Sequence, residues 1–199
     1  MEFINIKLDR IDREQKGKAE YRVNGNILFA EEAAMYHYKQ SGYNVIWSEN
    51  NYWWHLLGLL FWDVIFAKVK GAVKVVSGEI EEYIYTHYPE FDELFQSAIN
   101  INGMPDDFFT ADFYRHRMDM INNRIKELSN SEIIPILHKS YKDHYGKNFR
   151  MIEDWNKFSI EELSIAPKMF SNEVLLKILE RILINSTFPL GKSNMNLEK

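Results

Sequence analysis

The chain contains no cysteine in its 199 residues. Disulfides, thiolate zinc sites and a cysteine nucleophile are therefore excluded, and the composition fits a reducing compartment. Long apolar runs are missing as well, since the longest, Leu56 to Ala67, is interrupted by Asp63 and is shorter than the roughly 20 residues that span a bilayer. The opening M-E-F-I-N-I-K-L-D-R lacks an apolar signal core. We expect a soluble cytoplasmic protein with no membrane association.

An excess of positive charge is also missing. The sequence has 24 Lys and Arg against 29 Asp and Glu, a formal net charge of −5. The molecule as a whole therefore does not attract phosphates, and any contact with nucleic acid must come from a local basic patch.

The common catalytic motifs have no counterpart. The six histidines include no H-E-x-x-H pair, no serine lies in a G-x-S-x-G elbow, and no glycine-rich phosphate loop occurs. What the chain does have is 46% hydrophobic residues and 15% aromatics, enough to bury a core.

Hydrophobic periodicity predicts a mainly α (α+β) fold, a helical domain with a small N-terminal β-hairpin. Ile4, Ile6 and Leu8 alternate with polar residues, and a second alternating run brackets Asn24-Gly25, the preferred two-residue hairpin turn. We expect a β element over residues 1–30, a helical domain over 31–184 and a flexible tail over 185–199.

Helices are predicted where the apolar period is near 3.6 or a capping residue opens a run. The expected segments are Glu31 to Gly42, Tyr52 to Val69, Ser77 to Tyr88, Phe91 to Ile99, Ala111 to Leu128, Asn130 to Gly146, a capping box at Ser159-Ile-Glu-Glu162, and a last helix opened by Ser171. Gly42 suits the left-handed C′ position, and Asn130 and Ser131 are expected to cap the helix that ends near Gly146.

Two basic stretches could meet phosphates, because cations position a protein on a nucleic-acid backbone and aromatic rings can stack bases. The candidates are Arg115, Arg117 and Arg124 on one predicted helix, and Lys139, Lys142, Lys147 and Arg150, which are interleaved with Tyr141, Tyr145 and Phe149. Solvated helix faces have the same composition, and that alternative stays open.

Two acids near the tryptophan-rich stretch S-E-N-N-Y-W-W-H-L-L-G-L-L-F-W-D raise a further possibility. Glu49 precedes a helix whose N-terminal amides favour negative charge, so it is either a tuned acid or an ordinary helix-start residue. Asp63 is predicted to lie inside a buried helix, where a carboxylate needs a partner. An internal hydrogen bond or ion pair is the expected role for Asp63.

Three ordered blocks of the sequence resemble the Fanconi-associated nucleases, which carry a VRR-NUC domain of the PD-(D/E)xK superfamily. E-E-A-A-M-Y-H-Y from Glu31 is similar to their E-E-L-A-x-x-H-Y. Glu49 with L-L-G-L-L-F-W-D is similar to G-E-G followed by L-x-G-L-L-x-W-D. The third block, P-D-D-F-F-T-A-D-F-Y from Pro105 with Arg117 and Arg124, is similar to P-L-D-L-x-T-D-x-F-Y and the arginines of the family. A weaker W-N-K-F match begins at Trp155. The resemblance covers about Phe29 to Leu183.

By this resemblance Glu49 falls on the first metal-binding glutamate of the family, which joins an Asp and a Glu-x-Lys to hold a divalent metal at the scissile phosphate. Ser48 and Asn50 replace the glycines that flank the acid. Gly103-Met-Pro-Asp106 is a literal G-x-P-D, but no Glu follows before Lys126; the only E-x-K, Glu14-Gln-Lys16, lies upstream. We therefore expect the catalytic strands to be absent.

The expected protein is a shortened relative of a structure-specific DNA repair nuclease, inactive alone, or one half of a split metal-dependent nuclease. Mg²⁺ or Mn²⁺ would bind only if another polypeptide, carrying the nuclease core, completes the site. Branched or flap DNA is the expected ligand. The alternative is a non-catalytic helical protein-interaction module, which the acidic balance favours.

Overall fold

The computed structural model describes residues 7–11, 18–43, 45, 51–77, 80–83 and 91–186. Two compact units divide the chain, residues 1–49 and 50–199. The predicted fold class, mainly helical with a small N-terminal hairpin, is confirmed. None of the described helices is long and apolar enough to cross a membrane.

The first unit is a three-stranded antiparallel sheet with one helix. Strands β1 (Asp9–Ile11), β2 (Glu20–Val23) and β3 (Asn26–Phe29) lie in that order, and Glu20 pairs with Phe29. Both turn residues between β2 and β3 have positive φ, 47° at Asn24 and 82° at Gly25, as a type I′ hairpin requires. The predicted turn is confirmed, whereas Ile4 and Ile6 lie outside the described residues.

Helix α1 (Ala30–Gln40) follows β3 directly and packs on β2 and β3. Its start is capped by Glu32, whose carboxylate accepts a 2.9 Å hydrogen bond from the Phe29 N–H. Its end is a Schellman motif, because Gly42 has φ 82° and the Tyr43 N–H donates to the Tyr38 carbonyl at 3.0 Å. The predicted left-handed glycine is confirmed. A domain boundary between residues 30 and 31 stays a prediction.

The second unit is mostly helical and carries one hairpin. Its elements are α2 (Asn51–Leu60), α3 (Trp62–Ile65), β4 (Lys74–Ser77), β5 (Ile80–Tyr83), α4 (Phe91–Asn102), α5 (Ala111–Ser129), α6 (Ile133–His144), α7 (Ile160–Leu163), α8 (Ile165–Met169) and α9 (Asn172–Ser186). Strands β4 and β5 are antiparallel. Residues 187–199, most of the predicted tail, lie outside the described residues.

Helix α2 forms the centre of this unit. Seven of its ten residues are buried, and α3, α6, α7 and α9 all pack against it. A Cβ at Gly58 would lie 2.4 Å from a ring carbon of Phe149, so this glycine lets the aromatic ring approach the helix backbone. The hydroxyl of Tyr52 accepts from the Ala166 N–H at 3.0 Å and donates to the Leu163 carbonyl at 3.0 Å, which fixes α7 and α8 over the helix start.

Three helix predictions are corrected by the structure. In the segment expected to be a helix from Ser77 to Tyr88, Ser77 ends strand β4 and residues 80–83 form β5, and the rest of the segment lies outside the described residues. The helix expected from Tyr52 to Val69 is broken at Phe61 (φ −119°, ψ 19°) and ends at Ile65. Asn130 and Ser131 were expected to cap α6, but their side chains donate back to carbonyls of the last turn of α5.

Two other predicted helix starts are confirmed. The Ser159 hydroxyl accepts from the Glu162 N–H at 3.2 Å, and the Glu162 carboxylate accepts from the Ser159 N–H at 2.8 Å, a reciprocal capping box. Ser171 stands directly before α9, and its carbonyl accepts from the Leu175 N–H at 3.0 Å.

A buried histidine, His55, lies on α2 between two backbone carbonyls. Its Nδ1 is 2.9 Å from the Asn51 carbonyl and its Nε2 is 3.3 Å from the Asp154 carbonyl. Burial lowers the pKa of His55, and the two carbonyl hydrogen bonds oppose that shift. The neutral imidazole carries one N–H, so one of the two carbonyl contacts has no hydrogen to share.

This environment predicts a loss of stability in mild acid. Because the folded-state pKa of His55 lies below its ordinary value of about 6.5, the unfolded chain binds the proton first as the pH falls. The stability that His55 contributes to the fold is therefore complete above about pH 6.5 and decreases as the pH falls below that value. We expect the free energy of unfolding, measured in urea at pH 7.5 and 5.5, to fall less between the two conditions in His55→Gln than in the wild type.

His37→Gln supplies the control for the loss of a histidine as such, because His37 is exposed and lies outside the core. Burial, followed by the charge of Lys147, lowers the pKa of His144 too, so some pH dependence persists in His55→Gln. Equal pH slopes in the wild type and His55→Gln would show that His55 is not desolvated as described.

Candidate nucleic-acid interface

The residues predicted to bind metal or nucleic acid fall into three groups. Glu49, the predicted metal ligand, lies outside the described residues. Arg117 is in the core and Arg124 is mostly covered, with 16% of its side chain exposed. The exposed candidates are Arg115, Lys139, Lys142, Lys147 and Arg150.

Arg117 forms a buried ion pair rather than a phosphate contact. Its Nη1 donates to Asp107 Oδ2 at 2.6 Å, and the two side chains are 0% and 2% exposed. The guanidinium also lies 4.3 Å from the centroid of the Phe113 ring. Burial lowers the pKa of Arg117, and the carboxylate of Asp107 opposes that shift. The prediction that Arg117 contacts DNA is corrected, because the charge is already desolvated and paired.

Arg124 holds the end of α2. Its Nε donates to the Leu60 carbonyl at 2.8 Å, while the hydroxyl of Ser140 on α6 donates to the Leu59 carbonyl at 2.5 Å. The last carbonyls of a helix need partners from outside the helix, and here α5 and α6 supply them. A second Arg124 nitrogen pairs with the carboxylate of Glu127 at 2.7 Å. Arg124 is thus a structural residue in this unit, which corrects its predicted role as a phosphate contact.

The interruption of the helix at Phe61 leaves Trp62 only partly buried. The imidazole of His144 stacks on the indole of Trp62: the two ring centroids are 4.1 Å apart with an interplanar angle of 10°. Lys147 Nζ lies 3.0 Å from His144 Nδ1 and 5.8 Å from the centroid of the Trp62 ring. We call these three residues the Trp62 patch.

The tautomer of His144 follows from its neighbour. Burial, followed by the charge of Lys147, lowers the pKa of His144, which favours the neutral ring. An ammonium group only donates, so Nδ1 must be the acceptor and Nε2 must carry the hydrogen. The Trp62 patch therefore combines an aromatic ring with two kinds of N–H donor.

Acidic side chains lie beside the basic residues of α6. Lys139 Nζ is 2.5 Å from Asp143 Oδ2, and the hydrogen bond from this carboxylate raises the pKa of Lys139, with a smaller contribution from the charge of Asp63. Asp63 is exposed, so the prediction that it lies inside a buried helix is wrong; the break at Phe61 turns it outward. Lys139 is therefore already paired.

The loop after α6 carries Lys147 and Arg150 and is held by aromatic residues. The Trp155 indole N–H donates to the Lys147 carbonyl at 3.0 Å, and the Tyr141 hydroxyl donates to the Trp155 carbonyl at 3.2 Å. Phe149 is buried beneath the loop, while Tyr145 is 50% exposed. Of the aromatics proposed to stack bases, Tyr145 is accessible and Phe149 is not.

The same loop is tied to the segment Gly103–Asp106. The Arg150 N–H donates to the Gly103 carbonyl at 3.2 Å, and Asn148 donates to the Asn100 carbonyl at 2.9 Å. The G-x-P-D sequence of Gly103–Asp106 lies in the turn between α4 and α5 and not in a strand. This agrees with the sequence argument against it as the catalytic motif. Within the part of the chain that the structure describes, no group of three acidic or histidine side chains could hold a metal ion.

Trp62 is the candidate site residue that the sequence analysis missed, because the apolar run around it indicated core. Its neighbour Asp63 was a signal, since a helix buried on every face does not accommodate an unpaired carboxylate. Arg115 lies on α5 and pairs with Asp112 in the preceding turn of that helix.

The buried pair gives a prediction about stability. Arg117→Met leaves the carboxylate of Asp107 buried without its charge partner, so we expect the free energy of unfolding to fall by about 3–5 kcal/mol. Urea unfolding followed by circular dichroism measures the change. The exposed Arg115→Met should change it by less than about 0.5 kcal/mol.

The double variant Asp107→Leu/Arg117→Met should recover part of this loss, because no unpaired charge remains. A stable Arg117→Met protein that binds DNA less tightly would overturn the structural assignment.

Comparison with known proteins confirms the resemblance. The chain is 26% identical over 167 residues to the Fanconi-associated nuclease 1 homolog of Oryza sativa subsp. japonica, which covers 83% of this chain. It is 28% identical to that of Arabidopsis thaliana over 148 residues, which are 73% of this chain. It is 29% identical to that of Dictyostelium discoideum over 157 residues, which are 77% of this chain. No protein-family model matches the chain. The matched segments are only 15%, 14% and 12% of these relatives.

Proposed function

We propose that this chain acts in DNA repair as the helical part of a Fanconi-associated type of nuclease, that it contacts branched or flap DNA, and that it does not cleave DNA by itself. The observation that carries the proposal is the exposed basic and aromatic surface at the end of α6, in a chain similar to nucleases over most of its length. The proposed location is the cytoplasm.

The DNA contact is assigned to Lys142, Lys147 and Arg150. All three are exposed, and the structure gives them no ion pair with another described residue. Lys147 is held near Trp62 and His144, and the Arg150 backbone is anchored to Gly103. Lys139 and Arg115 contribute less, because each already has a carboxylate partner. With a net charge of −5, binding depends on these few cations and is weak and sensitive to salt.

The assignment predicts a change in salt dependence. Lys142→Gln/Lys147→Gln/Arg150→Gln should weaken binding to a labelled flap DNA and reduce the slope of log K against log salt by about 2–3, since each phosphate contact contributes roughly one unit. Fluorescence anisotropy between 50 and 200 mM salt measures both quantities.

The matched control removes three exposed lysines from other helices, Lys126→Gln/Lys168→Gln/Lys177→Gln. It makes the same change in net charge, so any effect of overall charge appears in both variants. Equal effects in both would reject the patch. Absence of salt-dependent binding in the wild type would instead favour the non-catalytic protein-interaction module.

Glu49 is proposed as a ligand for Mg²⁺ or Mn²⁺ in a site that a second polypeptide completes. The support is its position in the motif E-x6-L-x-G-L-L-x-W-D. Magnesium is held by one or two carboxylates together with substrate phosphates, and catalysis also needs further charge stabilisation at the attacked phosphate. The second polypeptide would supply the G-x-P-D and E-x-K strands.

Cleavage assays separate the two parts of this proposal. The chain alone, with Mg²⁺ or Mn²⁺ and a flap substrate, should leave the DNA intact. A mixture with a polypeptide that carries both strands should cleave it, and Glu49→Ala should abolish that cleavage while Glu173→Ala, which alters an exposed acid on α9, should not. Cleavage by the chain alone, or cleavage in the mixture that survives Glu49→Ala, would contradict the assignment.

A further inference from the structure

We infer that the Trp62 patch is a subsite for one unpaired nucleotide, whose base stacks on His144 and whose phosphate is bound by Lys147. This rests on the proposed function, and it extends that function from phosphate contact to recognition of single-stranded DNA. It also assigns roles to Trp62 and His144, which are not among the basic residues proposed to contact DNA.

The aromatic half of the subsite is preassembled. His144 is half-buried and lies parallel to the Trp62 ring, which covers one of its faces. Phe66 packs against Trp62, with the centroids of the two rings 4.4 Å apart, and so fixes the indole. No other described ring contacts His144. Because Trp62 occupies one face of the imidazole, a further aromatic group would stack on the opposite face, and every nucleobase has a flat face that can do so.

The anion-binding half lies at the edge of the same stack. Lys147 uses one ammonium hydrogen on His144 Nδ1 and has two others to donate, and it is exposed. His144 Nε2–H provides another donor. A flat aromatic face next to a cation matches a base joined to its phosphate better than it matches an acidic peptide, which has no aromatic surface to stack.

The geometry selects an unpaired base. In a duplex both faces of each base are covered by its neighbours, so only a splayed or single-stranded nucleotide can place a face on His144. The carboxylates of Asp63 and Asp143 influence His144 through their charge, which disfavours a dense array of phosphates nearby. One nucleotide, rather than a tract of duplex, fits that balance.

The test compares two labelled single strands of equal charge, a 12-residue oligothymidylate and an abasic oligonucleotide of the same length. The wild type should bind the first about tenfold more tightly, as one stacked base implies. His144→Ala should remove the difference, whereas His144→Phe, which keeps a flat ring, should retain it. Lys142→Gln should weaken binding to both strands equally.

Unfolding midpoints show whether each variant keeps the fold, and the wild-type comparison of the two strands tests the subsite without any variant. If the wild type binds both strands with equal affinity, the stacking subsite is overturned and the proposed DNA contact stands. If His144→Ala retains the preference for bases, the subsite lies elsewhere and the inference is also overturned. If the wild type binds no DNA, the proposed function falls together with this inference.

Discussion

The larger unit depends on the burial of α2. A ten-residue helix with an apolar surface on nearly every side cannot face water, so other helices must surround it. α3, α6, α7 and α9 do so, and Phe149 reaches the backbone at Gly58. The helix also ends inside the protein, where its last carbonyls need donors. Arg124 and Ser140 provide these donors, which links α5 and α6 to the same central element.

Several residues that carry the resemblance to nucleases therefore serve the scaffold. Asp107 and Arg117 form one buried pair, Glu32 caps α1, and Trp155 and Phe158 close the core against the start of α2. Because Arg117 is buried, its charge is stabilised by the carboxylate of Asp107 and not by a phosphate ligand. The similarity to the relatives is thus evidence about the framework more directly than about chemistry.

The surface at the end of α6 is a consequence of the same framework. Because the helix is interrupted at Phe61, Asp63 is exposed and Trp62 is only partly buried, stacked with His144. The loop from Gly146 to Trp155 is then held over the core by Phe149 and by the Trp155 indole, which positions Lys147 at the stack. In this way a chain with a net negative charge has a local group of N–H donors beside an aromatic ring.

Local chemistry was readable from the sequence. The Asn24-Gly25 turn, the left-handed Gly42 and the capping box at Ser159 follow from the conformational preferences of a few adjacent residues, and each is confirmed. Tertiary structure alone decided that Arg117 is buried, that α2 ends at Leu60 and that Trp62 is only partly buried. Those outcomes depend on partners such as Arg124 and Ser140, 64 and 81 residues away from the carbonyls they bind. No local pattern encodes contacts over that separation, because they form only when the helices pack.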